Sequence, residues 1–246
     1  IVFYRLQPRI GDAKALRVIG YIALGTMLVS VALLKPRITP TVRRSFFAAG
    51  AFKEPAYAWF TLAMFFGYMG LYVPIDYVSS YAGNKLQASQ DMTFYMVPIL
   101  NAGSIFGRII PNYVADAIGP INVLIPCTFA CGVLALAWLG IHNIPGLIVF
   151  SILYGFASGT YVSLPPAAVA SLTKDLHHLG SRMGTCFLFA AFGILIGSPV
   201  AGQLVKTHPP EYWRAEVFCG VIVFTALACT VFSRVANVGT RLAVRT

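Results

Sequence analysis

The residues best placed to do chemistry lie in short polar stripes inside apolar sequence. Asn101, Ser104 and Arg108 recur at i, i+3 and i+7, so a helix carries all three on one face. A stripe ending in a guanidinium suits an anionic, carboxylate-bearing ligand, because the planar fork matches a carboxylate. The other reading is an arginine that snorkels its charge to a membrane interface. Further along the same run, Asp116-x-x-Gly119 opens a tight turn. A carboxylate there can bind arginine side chains or the N-terminal amides of a helix, and so latch one conformation. Otherwise it is a solvated loop charge.

Two more stripes share this character. Tyr68, Tyr72, Asp76 and Ser79 or Ser80 repeat at helical spacing. Tyr72 is a candidate substrate contact. Asp76, near Pro74, is a candidate for proton or ion coupling, or a carboxylate resting in headgroup water. Ser151, Tyr154, Ser158, Tyr161 and Pro165 share a further face. Tyr154, Ser158 and Tyr161 fit two roles equally: hydroxyls that hold a polar substrate in a mostly apolar pocket, or hydrogen bonds between helices.

Other chemistries lack their parts. His142, His177, His178 and His208 sit in loops or near run ends without a carboxylate or cysteine at metal-ligand spacing, so no metal or heme is indicated. The five cysteines fall inside apolar runs with no C-x-x-C pair, which reads as packing. Gly155-Phe-Ala-Ser-Gly159 lacks the preceding glycine and the mid-membrane histidine of an intramembrane serine protease. No phosphate-binding Gly-Lys-Ser/Thr is present. An enzyme is not expected, and no cofactor is called for.

The elements that must position these stripes are membrane helices. Of 246 residues, 58% are hydrophobic and 11% charged, with a mean hydropathy of +0.75. Soluble domains carry about 25% charged residues, so a water-soluble fold is excluded, as are disorder and a coiled coil. A crossing needs roughly 20 mostly apolar residues. About seven crossings satisfy this, at 15–34, 57–80, 93–114, 121–140, 145–172, 183–205 and 215–233. The net charge of +10 is spread between the runs rather than gathered on a soluble domain, which argues against nucleic acid. Lys35, Arg37, Arg43, Arg44, Lys53, Arg108, Lys174, Arg182, Arg234, Arg241 and Arg245 fall on one side, against Lys85, Lys206 and Arg214 on the other. That bias makes the tail cytoplasmic. Arg5, Arg9, Lys14 and Arg17 fall on the opposite side and conflict with it. With the start at Ile1 inside an apolar stretch, this conflict suggests missing N-terminal sequence.

Four glycine pairs, Gly103/Gly107, Gly155/Gly159, Gly180/Gly184 and Gly193/Gly197, sit four residues apart and predict close helix contacts. Pro165-Pro166 and Pro199 predict bends.

As a set, these motifs resemble a known family. Asn101-Ala-Gly-Ser-Ile-Phe-Gly-Arg108, Ala115-Asp116-x-x-Gly119 and Ile121-Asn122-Val123 are similar to the eighth-to-ninth helix region of the major facilitator superfamily, in its fungal monocarboxylate-transporter-like branch. Tyr154-Gly-Phe-Ala-Ser-Gly159 through Pro165 resembles its tenth helix. Gly180-Ser-Arg-Met-Gly184 through Gly202 resembles its eleventh, and Arg17-Val-Ile-Gly-Tyr21 the start of its sixth. The resemblance implies an all-α membrane protein, the C-terminal six-helix bundle (57–233) preceded by the sixth helix (within 1–34), a basic linker (35–56) and a cytoplasmic tail (234–246). It implies a multi-pass protein of the plasma or vacuolar membrane that carries small organic anions by alternating access with a missing N-terminal half. Arg108 maps onto the arginine that contacts the substrate carboxylate, and Asp116 with Gly119 onto the latch. Ser104 stands where animal members carry an aspartate linked to proton coupling. The alternatives are a non-transporting remnant or partner protein, and a seven-helix receptor, whose Asp-Arg-Tyr and Asn-Pro-x-x-Tyr motifs are missing.

Overall fold

Among the residues described by the computed structural model (11–34, 47–173, 175–207 and 210–239), seven helical spans are long and apolar enough to cross a membrane. The chain falls into two compact units, Ile1–Arg43 and Arg44–Thr246. Most of the basic linker (35–46), Lys174, His208 and the tail from 240 onward lie outside the described residues.

The first unit contains α1, Asp12–Leu33. Its sequence is apolar on all sides, as a lipid-embedded helix requires.

The second unit holds six crossings. After a 3-10 turn, Ala49–Lys53, come α2 (Pro55–Asn84) and α3 (Gln90–Ile118). Next is α4 (Pro120–Ala137), prolonged by the 3-10 turn Trp138–Gly140. Then follow α5 (Ile144–Ser163), α6 (Pro165–Ser171), α7 (Leu179–Leu204) and α8 (Trp213–Val238). A two-residue antiparallel ladder, Lys206–Thr207 with Pro210–Glu211, joins α7 to α8. Successive crossings alternate in direction, so the bundle has a linker end, where α2 begins, and a ladder end.

The helices overrun their apolar windows because the flanking residues cap them. Ser89 accepts from Met92 N at 3.3 Å to open α3, and Asn143 accepts from Gly146 N at 2.7 Å to open α5. Pro55, Pro120 and Pro165 each sit in a helical first turn, where the missing N–H is harmless. Gly119 alone separates α3 from α4. Its φ of 95° lies in the region that glycine reaches without strain. The predicted break at Pro165 appears as the step from α5 to α6, whereas α7 runs unbroken over Pro199.

Within this unit α2 packs on α8, α7 and α3, α3 packs on α5, and α4 packs on α8 and α5. Two seams need glycine. At Gly103 and Gly107 an added Cβ would strike the Ile152 and Phe156 carbonyls of α5, and at Gly155 and Gly159 those of Leu100 and Ser104 in α3. Gly193 and Gly197 of α7 likewise abut the Phe65 and Met69 carbonyls of α2. At Gly184 an added Cβ meets nothing within 4 Å among the described residues, unlike the close contact expected of it.

Candidate functional site

The α3 stripe divides in two. Ser104 is buried in the seam with α5, its hydroxyl donating to the Asn101 carbonyl at 2.8 Å. Asn101 and Arg108 are exposed. Asn101 Nδ2 donates back to Val97 O at 3.1 Å, while the Arg108 guanidinium has neither an ion pair nor a hydrogen bond among the described residues. It lies within electrostatic reach of Tyr68 of α2. Of the three stripe residues, Ser104 lies in the helix seam and Asn101 and Arg108 in the open.

Tyr68 and Tyr72 stack, with ring centroids 6.1 Å apart and planes at 22°. Tyr68 also meets the Tyr161 ring edge-on at 5.7 Å. Tyr72 is half-buried and Tyr68 nearly covered, yet neither hydroxyl has a hydrogen-bond partner among the described residues. The sequence singles out Tyr72 and not Tyr68 as a contact. The signal for Tyr68 is its place on the same stripe, one helical turn earlier.

The α5 stripe has another fate. Tyr154 OH donates to Leu71 O at 2.9 Å and Tyr161 OH to Ala63 O at 2.7 Å, both carbonyls on α2. Ser158 Oγ bonds within its own helix to Gly155 O at 3.2 Å. All three side chains are buried. In this geometry the hydroxyls of Tyr154, Ser158 and Tyr161 are engaged in hydrogen bonds within and between helices. Hydroxyls on an apolar helix satisfy themselves on neighbouring carbonyls when no water is at hand.

At the ladder end, exposed Asp76 accepts from Ser198 Oγ of α7 at 2.5 Å, and Tyr77 OH donates to Ser198 O at 3.1 Å. At the linker end, Asp116 and Gly119 border a crevice of about 170 Å³ whose far wall is Leu164, Ala167 and Ser171. The aspartate of the expected latch thus sits beside α6.

A more elaborate linker-end contact escapes the sequence reading. Arg182, in the first turn of α7, is buried and ion-paired with Glu54. Its Nη1 donates to Leu172 O at 3.1 Å, and its guanidinium lies 4.9 Å from the centre of the Tyr57 ring. Tyr57 OH returns a bond to Arg182 O at 2.8 Å, and Ala48 N donates to Thr185 Oγ1 at 3.0 Å. The turn Ala49–Lys53 is thereby held against α7, beside a cavity of about 450 Å³ lined by Phe47, Gly50, Glu54, His178, Ser181 and Arg182. The available signal was electrostatic, because a cation in a helix's first turn opposes the dipole and calls for a carboxylate. Nearby, Arg234 Nε donates to Asn122 Oδ1 at 2.5 Å and ties α8 to α4.

This bundle, with its glycine seams and alternating crossings, has known relatives. The sequence profile of the Major Facilitator Superfamily matches residues 60–242. The chain belongs to the Major Facilitator Superfamily. It is 40% identical to the MFS-type transporter dbaD of Emericella nidulans over 227 residues, which cover 92% of this chain and 51% of that protein. It is 35% identical to an MFS-type transporter of Gibberella moniliformis, covering 95% of this chain and 57% of the relative. With the aspyridones efflux protein apdF of Emericella nidulans it shares 33% identity, over 89% of this chain and 44% of the relative. The chain spans about half the length of the curated relatives it matches. Membership of the superfamily accounts for the all-α membrane fold and makes the protein a member of a transporter family rather than an enzyme family.

Proposed function

We propose that the chain is one half of a secondary carrier for small organic anions, monocarboxylate-like in their recognition, working by alternating access with a second, N-terminal half. The observation that carries this reading is the Arg108 guanidinium. It is exposed on a membrane-spanning helix, lacks a partner among the described residues, and acts on Tyr68, whose hydroxyl and that of Tyr72 are also uncommitted. A charge kept on such a helix without a counter-charge marks a ligand pathway. Arg108 takes the anionic group, and Tyr68, Tyr72 and Asn101 supply hydrogen bonds and ring surface beside it. Asp76 is the ion-coupling candidate on the exposed surface, and Asp116 with Gly119 the conformational latch.

The apolar side chains that α3 and α7 leave open, among them Phe106, Ile109, Phe192 and Leu195, need lipid or a second half to cover them. The excess of Lys and Arg at the linker end makes that end cytoplasmic in the plasma or vacuolar membrane. The efflux named for one relative favours export.

The test is transport of radiolabelled organic acids by proteoliposomes holding the complete carrier. Arg108→Ala abolishes it and Arg108→Lys keeps a minor fraction. Full transport by Arg108→Ala overturns the site. The isolated 246-residue chain presents one wall of the cavity, so it binds anions without translocating them. Net uptake by that chain alone refutes the half-carrier reading.

A further inference from the structure

Glu216, in the first turn of α8 at the ladder end, is wholly buried, and among the described residues neither carboxyl oxygen has a hydrogen-bond partner. Its setting is aromatic. Tyr81 of α2 lies within electrostatic reach of it and packs at 5.2 Å both on Tyr212 and on Trp138. The Trp138 indole N–H is buried and, among the described residues, unpartnered as well. One tyrosine thus has a buried acceptor within electrostatic reach and a buried donor packed on its ring. The nearby hydroxyls are engaged elsewhere, that of Tyr81 with Ile141 O and that of Tyr212 with Ser80 and Asn84.

Among the described residues, the charged and titratable groups that act on or with Glu216 are Tyr81 from α2, Lys85 just after α2 and Cys219 on its own helix, with Tyr212 just before α8 against Tyr81. Lys85 is the cation among them. Its Nζ rests 4.7 Å from the centre of the Tyr81 ring. It interacts with Glu216 at a distance, and the two form no ion pair in this conformation. An ionised carboxylate held dry and unpaired is strongly unfavourable, whereas a neutral carboxyl gives up only its hydrogen bonds to water. A cation–π contact is an alternative resting place for an ammonium.

We propose that Glu216 is a proton-binding site: the carboxyl holds a proton while Lys85 rests on Tyr81, and sheds it when Lys85 leaves the ring to pair with it. In the second state the O–H bond of Glu216 is broken, the proton has passed to water at the ladder end, and the Lys85 ammonium balances the carboxylate. Trp138, packed on the same Tyr81 ring, serves as the reporter of either form.

The experiment is infrared difference spectroscopy of the 246-residue chain in lipid nanodiscs, titrated with pH. A carboxylic acid C=O band is present at neutral pH, is lost in Glu216→Gln and is displaced in Glu216→Asp. In Lys85→Met the band survives into more alkaline buffer. In a Trp59→Phe, Trp213→Phe background, Trp138 fluorescence changes over the same pH range as the band. Coincident acid bands in the wild type, Glu216→Gln and Glu216→Asp overturn the proposal, as does flat Trp138 fluorescence across the titration. The readout is a vibration and needs no transport, so it stands or falls apart from the carrier reading.

Discussion

Tyrosines on two neighbouring helices have opposite duties. On α5, Tyr154 and Tyr161 are buried and both hydroxyls are committed to α2 carbonyls. On α2, Tyr68 and Tyr72 stack on each other, and neither hydroxyl has a partner among the described residues, within reach of the Arg108 charge at Tyr68. Both stripes have helical spacing and the same residue types. What separates them is what the neighbouring helix offers. A carbonyl within reach turns a tyrosine into a fastener, and its lack leaves a tyrosine available to a ligand.

Substitutions can break or sharpen that contrast. The largest effect is expected at the seam that brings α5 against α3. Gly155→Leu forces a side chain into the Leu100 carbonyl, and overpacking of this kind costs about 3 kcal/mol. The expected outcome is loss of a monodisperse peak in size-exclusion chromatography. If the variant remains as heat-stable as the wild type, the seam does not hold the fastened tyrosines in place. Next is Arg108→Ala. Losing a charged hydrogen bond weakens anion affinity about 10- to 100-fold, measured by calorimetry, with thermal stability unchanged. A stability loss without an affinity loss would move Arg108 to the fastener side.

Tyr161→Phe is expected to destabilise by about 1 kcal/mol, the net worth of one internal hydrogen bond, and to leave anion affinity alone. Tyr72→Phe should do the reverse, with affinity down several-fold and the melting temperature unmoved. This pair is the sharpest test, because each variant removes one oxygen and nothing else. The smallest effect belongs to Ser158→Ala. Its hydroxyl bonds only within its own helix, so stability should stay within about 0.5 kcal/mol and affinity should not change.

The sequence revealed the crossings well and the partnerships poorly. Every apolar run became a helix, because a bilayer admits little else. The ends were less legible, since Pro55, Ser89 and Asn143 extend helices past the apolar windows. Periodicity showed that Ser151, Tyr154, Ser158 and Tyr161 share a face, but a face does not name its neighbour. For the same reason Ser104 looked equivalent to Arg108, although their slight difference in angle puts one in a seam and the other in the open. The Arg182–Glu54 pair joins residues 128 positions apart, and no local pattern carries that information. Gly184 shows the converse, as it has the spacing of a contact strip but an added Cβ there meets nothing among the described residues.

The two tyrosine fasteners on α2 have a mechanical consequence. Ala63 and Leu71 are eight residues apart, about 12 Å along the axis at 1.5 Å per residue, and each is pinned by a hydroxyl from α5. Cys219 of α8 grips the Gly70 carbonyl from a different helix. A rod clamped at two rungs by one neighbour and once by another can neither slide nor roll without releasing them together. Whatever displacement this protein undergoes, α2, α5 and α8 should travel as a single plate, and the deformation should concentrate at its edges.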